Sequence, residues 1–425
     1  MSHPVPNAPS DRDDALAVLS RLRDAGHVAY FAGGCVRDLL MGQSPKDYDV
    51  ATDAPPGRVR ELFSNTQAVG AAFGVILVRQ RKSMIEVATF RTDGSYTDGR
   101  RPDSVQFTTA EHDAQRRDFT INGLFLDPIE DRIIDYVGGQ ADLAAKVIRA
   151  IGDPAQRFAE DYLRILRAVR FAARFEFTIE PATANAIRAQ AKNITQVSPE
   201  RIADELRRML TAPSRAKAWQ LLQALELLPL LFRGVTGSHA RQPLPMGDTG
   251  GQAVSFPLAL ALGLSTFLTA HSGATQLKGK WVADTVRKVR TLLKLSNDER
   301  DALFAILDDA GGLLHDTWTD AKMMRFLAKP TATDCRAFLR ELQSASMDDG
   351  RVSAVEAKLS ELETRECNPP PLITGDVLVA HGLRPGPKFK MILDTVYDAQ
   401  LESRVQNYDA ALTMALQLAE TNPGR

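Results

Sequence analysis

Phe31-Ala32-Gly33-Gly34-Cys35-Val36-Arg37-Asp38, followed by Lys46-Asp47-Tyr48-Asp49-Val50, reads as a buried strand, a glycine turn, a short helix and a second strand. Gly33 and Gly34 carry no Cβ and tolerate positive φ, so the backbone there can approach a bulky anion closely. N–H groups at the start of the following helix then face that anion, and Arg37 adds a planar donor. On a strand, Asp47 and Asp49 project from one face while Tyr48 turns towards the packing. Two carboxylates so placed resist ionising together unless a cation lies between them. Hard oxygen donors favour Mg²⁺, which keeps waters and takes substrate phosphates as further ligands. A phosphate cradle beside such a pair predicts nucleotide chemistry by in-line displacement on two metal ions. An isolated Asp-x-Asp would read as a surface turn; the adjoining glycine turn selects the metal reading.

The 425 residues suffice for about two to four domains, and 44% hydrophobic with 25% charged residues is an ordinary globular composition. A net charge of −1 gives no global attraction to nucleic acid, so any RNA binding must rest on local basic surface. Cys35, Cys335 and Cys367 are widely separated, which indicates neither a zinc site nor a disulfide framework and fits a reducing, cytoplasmic compartment. The start of the chain lacks the apolar core of a signal peptide, and no stretch approaches the ~20 apolar residues of a membrane helix. A soluble protein without membrane partners is expected.

Working outward, Ala15, Leu16, Leu19 and Leu22 give an amphipathic helix ahead of the first strand. Residues 74–78 and 84–90 read as strands joined by a basic turn, with Glu86 an outward-facing acid on the second. Arg91 to Val105 is charged, glycine-bearing and aperiodic, a flexible loop beside the metal site and a candidate catalytic loop. In Arg116-Arg117-Asp118-Phe119-Thr120-Ile121-Asn122, Arg117 offers a planar fork to triphosphate oxygens, and Asp118 and Asn122 bond a ribose or hold that arginine. The alternative is a helix capped by Asp118 with its arginines in solvent.

One helix is expected over about 155–175, with Phe158, Ile165, Leu166, Val169, Ala172 and Ala173 on one face. Arg164, Arg167, Arg170 and Arg174 fall opposite, with Asp161 at their edge. They read either as a solvated face or as a set chosen for bidentate phosphate and base contacts. Ser198-Pro199-Glu200 opens a helix, to which a supporting role is assigned. Beyond residue 212 the pattern is helical apart from a loop over 234–252. His315-Asp316 lacks the further ligands a metal site needs, since His239 and His271 stand in Gly/Ser-bearing surroundings. Asn368-Pro369-Pro370-Pro371 reads as a stiff linker. After it, Arg384, Lys388 and Lys390 surround a Gly/Pro turn that either packs or contacts an RNA backbone.

Gly-Gly-x-Val-Arg-Asp with Lys-Asp-x-Asp-Val-Ala-Thr resembles the head of the class II tRNA nucleotidyltransferase and bacterial poly(A) polymerase family. Arg-Arg-Asp-Phe-Thr-Ile-Asn, Asp135-Tyr136-Val137-Gly138-Gly139 and Glu160-Asp161-Tyr162-Leu163-Arg164 resemble its later motifs; Gly123 stands where the family usually has Ala. The resemblance implies an α+β fold: a mixed-sheet nucleotidyltransferase head (1–150), then an all-α neck (151–211), body (212–367) and tail (368–425). It implies that Glu86 completes the metal site of Asp47 and Asp49 with Mg²⁺. It further implies that Asp161 and Arg164 read the base edge while Arg167 and Arg170 contact nucleotide or phosphate. Gly33, Gly34, Arg37, Arg117, Asp118 and Asn122 complete the nucleotide site. The tail, with Arg384, Lys388 and Lys390, would hold the far end of the tRNA acceptor arm. The expected activity is addition of CCA to tRNA from CTP and ATP. An enzyme adding only A, or a poly(A) polymerase, shares every catalytic motif; the long 91–105 loop favours terminal A addition, and the absence of a strongly basic C-terminal extension weighs against poly(A) synthesis.

Overall fold

In the computed structural model, which describes residues 11–94, 104–235, 252–268, 277, 279–344 and 350–421, α1 (Asp11–Asp24) buries Ala15, Val18, Leu19 and Leu22. That face lies against β1 (Ala29–Ala32), from which the chain turns at Gly33 into α2 (Gly34–Leu40). Then follow β2 (Val50–Thr52), α3 (Pro56–Leu62), β3 (Thr66–Gly70), β4 (Val75–Gln80) and β5 (Ser83–Thr89). A small hairpin, β6 (Arg91–Asp93) and β7 (Val105–Phe107), leads to α4 (Ala110–Gln115). After β8 (Leu124–Asp127) and β9 (Arg132–Asp135), the seven-stranded sheet has the order β3-β4-β5-β2-β1-β8-β9. It is mixed because β2 runs parallel to β5 while its other pairings are antiparallel. On β5, Ile85, Val87 and Thr89 are buried while Met84 and Glu86 are exposed, the period-2 alternation of a half-covered strand.

Asp47 and Asp49 are not on a strand, contrary to the sequence reading. β2 starts at Val50, paired with Phe31; one bond further upstream Asp49 O accepts from Ala32 N at 3.1 Å, and the pairing ends there as the chain turns at Gly33. Tyr48 does pack inward, 5.3 Å from the Phe31 ring.

After α5 (Gly139–Ala144) and β10 (Val147–Ile148), the helix expected over 155–175 is two: α6 (Pro154–Glu160) and α7 (Leu163–Phe175). The break is Asp161, extended at φ −154° and ψ 103°, whose carboxylate accepts from Leu163 N at 3.0 Å. A short acid competes for backbone N–H groups in this way and starts a new helix rather than continuing the old one. β11 (Thr178–Ile179) pairs with β10, and α8 (Pro181–Gln190), α9 (Pro199–Leu210), α10 (Arg215–Ala224) and α11 (Leu228–Leu231) complete a compact unit spanning Met1–Arg233. The sheet and the helices after it give the α+β class.

The second unit, Gly234–Arg425, is helical throughout its described residues. It comprises α12 (Phe256–Leu268), α13 (Lys280–Leu293), α14 (Asn297–His315), α15 (Asp320–Leu327), α16 (Ala332–Ser344), α17 (Arg351–Leu362), α18 (Gly375–Ala380), α19 (Pro387–Leu401) and α20 (Tyr408–Thr421). Ser296 and Glu299 form a reciprocal capping box at the start of α14. The proline stretch is fastened along α19 rather than spanning open space. Tyr397 Oη donates to Pro369 O at 2.9 Å, and Gln400 Nε2 donates to Pro370 O at 2.8 Å.

Candidate nucleotide site

Gly33 has φ 68° and ψ −120°, and a Cβ there would meet Arg117 Nη1 at 2.7 Å. Glycine is therefore required twice, by the backbone and by the arginine against it. Gly34 has no such neighbour, its nearest contact being Arg37 Nη2 at 3.7 Å. Arg37 is buried: it donates to Asp38 Oδ1 at 2.6 and 2.8 Å and to Asn122 Oδ1 at 2.5 Å, and lies 4.6 Å from the Phe175 ring centre. Its guanidinium locks α2 to the 118–122 turn, a more structural posture than the donor role read from sequence.

Arg117 is not held by the Asp118 side chain. The buried Asp113 of α4 accepts from Arg117 Nε and Nη2 at 3.2 and 3.0 Å, and Arg117 Nη1 reaches the Asn122 carbonyl at 3.2 Å. Asp113 also accepts from Arg116 and from the backbone of Arg91, so one carboxylate ties two arginines to the base of the β6–β7 hairpin. Burial raises its pKa, but Arg117 and Arg116 outweigh that and hold it below the usual carboxylate range.

Asp118 is no helix cap either. Its carboxylate accepts from Phe119 N, Asn122 Nδ2 and Arg167, the last at 2.5 and 2.7 Å. Burial opposes ionisation, yet the Arg167 charge and these bonds bring its pKa down to about 2.

The parallel register Val50↔Val87 sets Asp49 beside Glu86. Burial first, then repulsion from Glu86 and Asp47 against the pull of Arg117, pushes Asp49 up to about 6. Glu86 is exposed by surface yet sits in a recess where desolvation raises its pKa, opposed by Arg117 and Arg91. Asp47 is exposed and does not line the cleft. Among the described residues, no three His, Cys, Asp or Glu side chains stand close enough to hold a metal ion. Asp49 and Glu86 nevertheless make a hard-oxygen pair that resists ionising unaided, a donor set that fits a divalent cation.

Gly33, Arg37, Asp49, Glu86, Arg117, Asp118 and Asn122 line one cleft of about 730 Å³, walled by the sheet on one side and by α7 and α9 on the other. Three of the four arginines in the α7 stripe are tied to partners rather than solvated, while Arg174 is exposed. Arg167 meets Asp118, Arg170 meets the buried Glu205 at 2.6 Å, and Arg164 binds Glu160 and the Arg157 carbonyl. Asp161 is paired with Arg201 at 2.6 Å. Around Phe171, Arg37, Arg167 and Arg170 lie 5.4, 5.3 and 4.3 Å from the ring centre. The cleft is thus polar and cationic, with one carboxylate pair on its floor: a receptacle for a polyanion beside a cation.

Comparison with known proteins fits this geometry. The family model described as "Poly A polymerase head domain" matches residues 29–149, and "Probable RNA and SrmB- binding site of polymerase A" matches 176–237. The CCA-adding enzyme of Lactobacillus gasseri is 31% identical over 424 residues, covering 97% of this chain and 99% of that protein. The chain belongs to the class II CCA-adding and poly(A) polymerase family. It is a nucleotidyltransferase. The solved structure of the Bacillus stearothermophilus CCA-adding enzyme in complex with CTP is similar over 98% of both chains, with a TM-score of 0.72 and 28% identity. Poly(A) polymerase I of Salmonella typhi is 43% identical over 235 residues, 53% of this chain and 50% of that one.

Within this nucleotidyltransferase, Gly123 departs from the family's usual alanine for a local reason: a Cβ there would lie 2.6 Å from Val137 Cγ2. Gly139 is likewise packed, its virtual Cβ 2.2 Å from Thr120 O, whereas a Cβ on Gly138 would meet nothing within 4 Å, and what Gly138 supplies is a left-handed backbone at φ 77°. Sequence reasoning missed Asp113, Arg201 and Glu205. Asp113 stands three and four residues before Arg116 and Arg117, a helical ion-pair spacing that could have found it. Arg201 and Glu205 share one face of α9 by the same spacing, and the helix assigned a supporting role thus supplies cleft residues.

In the second unit, Arg384, Lys388 and Lys390 are exposed around the turn between α18 and α19. His315 ends α14 with Asp316 as its C-cap; His239 and His271 lie outside the described residues, as do 95–103 of the long loop. Among the described residues no helix is long and apolar enough to cross a membrane.

Proposed function

We propose that this chain adds the 3′-terminal CCA to tRNA from CTP and ATP without a nucleic-acid template. The observation that carries the reading is the end-to-end similarity to CCA-adding enzymes together with a cationic cleft that places Asp49 and Glu86 beside Arg117 and Arg167. In the reaction the primer 3′ oxygen bonds to the α-phosphorus, the bond to pyrophosphate breaks, and the hydroxyl proton is lost.

Asp49 and Glu86 would hold Mg²⁺, with Asp47 turning in from its exposed position outside the cleft to join them; when bound, the ion neutralises the triphosphate and lowers the pKa of the attacking hydroxyl. Gly33 and Gly34 leave room for the triphosphate, and Arg117 and Arg167 hold its oxygens, each kept in place by a buried carboxylate. Asn122 and Arg37 brace that wall, and Arg170 adds charge from α7. Asp161 accepts from the exocyclic amino group common to cytosine and adenine, and Arg164 donates to the same edge; both replace a template base. Asp161 is paired with Arg201 and Arg164 with Glu160, so the incoming base exchanges or shares these partners. The head (1–150), neck (151–211), body (212–367) and tail (368–425) carry catalysis, selection, spacing and RNA holding, the last through Arg384, Lys388 and Lys390.

A second reading, poly(A) synthesis, is favoured by the 43% identity over half the chain. Primer extension on tRNA transcripts ending before CCA, after C and after CC, with CTP and ATP separately and together, decides between them. CCA addition predicts C, C, A and arrest. Long A tails on unrelated RNA would establish the second reading, extension only from the CC end an A-adding enzyme, and no incorporation with Mg²⁺ present would overturn catalysis.

A further inference from the structure

Most arginines facing the cleft are matched to carboxylates: Arg37 to Asp38, Arg117 to Asp113, Arg167 to Asp118, Arg170 to Glu205 and Arg201 to Asp161. Beside the cleft lies a second recess of about 790 Å³, walled by Lys46, Arg170, Arg174, Glu176, Arg208 and Ser214. Arg170, Arg174 and Arg208 belong to both walls, so the two spaces adjoin. Here the matching is thinner: among the described residues, of the four cations only Arg170 holds a close carboxylate, Glu205. Lys46 and Arg208 are exposed, and among the described residues neither stands within ion-pair distance of a carboxylate. Arg174 reaches Asp38 only at 3.8 Å, with 44% of its side chain exposed. Among the described residues of this wall, Glu176 is the one acid. Burial lowers the pKa of Arg170, with Glu205 opposing it and the neighbouring Arg167 and Arg208 adding to it. Ser214, the N-cap of α10, makes no side-chain capping bond and adds a hydroxyl to the same wall.

These cations and the hydroxyl come from four separate elements: the segment after α2, the end of α7, the last turn of α9 and the start of α10. Like charges gathered on one wall make a local positive potential that draws an anion. We propose that this recess binds the phosphodiester backbone just upstream of the RNA 3′ terminus while the terminal ribose lies in the neighbouring cleft. The proposal rests on the nucleotidyltransferase reading above and adds the path of the growing strand. Lys46 immediately precedes Asp47 and Asp49, so a strand leaving the reacting ribose by this recess passes the carboxylates and keeps clear of Arg117 and Arg167, where the triphosphate sits. The family model described as a probable RNA-binding site spans 176–237; Lys46 and Arg174 lie outside it.

The test is direct RNA binding, independent of turnover, by fluorescence anisotropy with the full chain and a labelled RNA ending in CC. Lys46→Gln combined with Arg208→Gln changes two exposed residues. It should weaken binding about tenfold and flatten the salt dependence by about 1.4 in log K against log[salt], about 0.7 for each single-strand phosphate no longer neutralised. Replacing one of the last phosphates with a neutral methylphosphonate should weaken binding to the unsubstituted protein severalfold and leave the double variant unaffected. Equal penalties on both proteins would overturn the proposal. So would Lys46→Gln weakening CTP binding as much as RNA binding, which would place the lysine in the triphosphate site. Absence of incorporation by the unsubstituted protein would count against the catalytic reading alone, because the binding comparison stands without it.

Discussion

Replacing Asp118 by asparagine keeps the shape and an acceptor for Phe119 N but removes the charge that Arg167 faces. The carboxyl titrates at about 2 in the folded protein, against about 3.9 in an unfolded chain. A difference of about two units corresponds to about 2–3 kcal/mol of stability at neutral pH. The Asp118 side chain is 8% exposed, so solvent screening removes little of this. Arg167 is 32% exposed, which keeps the cost below the ~3–5 kcal/mol of breaking a fully buried pair. The sign follows from the depressed pKa: the contribution is complete above about pH 4 and is lost as pH falls through about 2. Urea unfolding should be followed by the fluorescence of Trp219, which is buried in the first unit, with Trp281 and Trp318 changed to Phe in both proteins compared. Asp118→Asn should be about 2–3 kcal/mol less stable near pH 7, with the gap closing as the pH is lowered below about 4. Equal stability near neutrality, or a gap constant down to the lowest pH that can be measured, would refute the assignment of Arg167 as its charge partner.

Gly33→Ala should cost about 1–3 kcal/mol from backbone strain alone. It should also displace Arg117, raising the KM for nucleotide more than it lowers melting temperature; an unchanged KM would argue against the close approach of that arginine. Asp49→Asn should abolish incorporation yet stabilise the metal-free protein by about 1–3 kcal/mol near pH 8, because a carboxyl raised to about 6 on folding is a destabilising charge above that pH. Its advantage should disappear below about pH 4, and a less stable variant at pH 8 would contradict the burial argument. Arg201→Gln removes the guanidinium that orients the Asp161 carboxylate and should lower the kcat/KM ratio of CTP over UTP by about tenfold, the scale of one charge-assisted hydrogen bond; steady-state kinetics with both nucleotides decide. Gly123→Ala should destabilise by about 1–3 kcal/mol through overpacking against Val137, and thermal melting of Gly123→Ala and Gly123→Ala/Val137→Ala compared should show rescue in the latter.

What the sequence determined by itself is local and short in range. The glycine turn at Gly33, the inward Tyr48, the α1 face and the strand carrying Glu86 each follow from backbone freedom or from a hydrophobic period within a few residues. The motifs were also enough to place the chain in its family, because their residue types in that order are tied to one chemistry. Only the tertiary structure decided who partners whom. The helix expected over 155–175 breaks at Asp161 because a carboxylate takes a backbone N–H, a choice that periodicity does not encode. Asp113 rather than Asp118 holds Arg117, and α9 brings Arg201 to the cleft and Glu205 to Arg170. An arginine's reach exceeds the spacing between elements, so its carboxylate is selected by how sheet and helices pack rather than by distance along the chain.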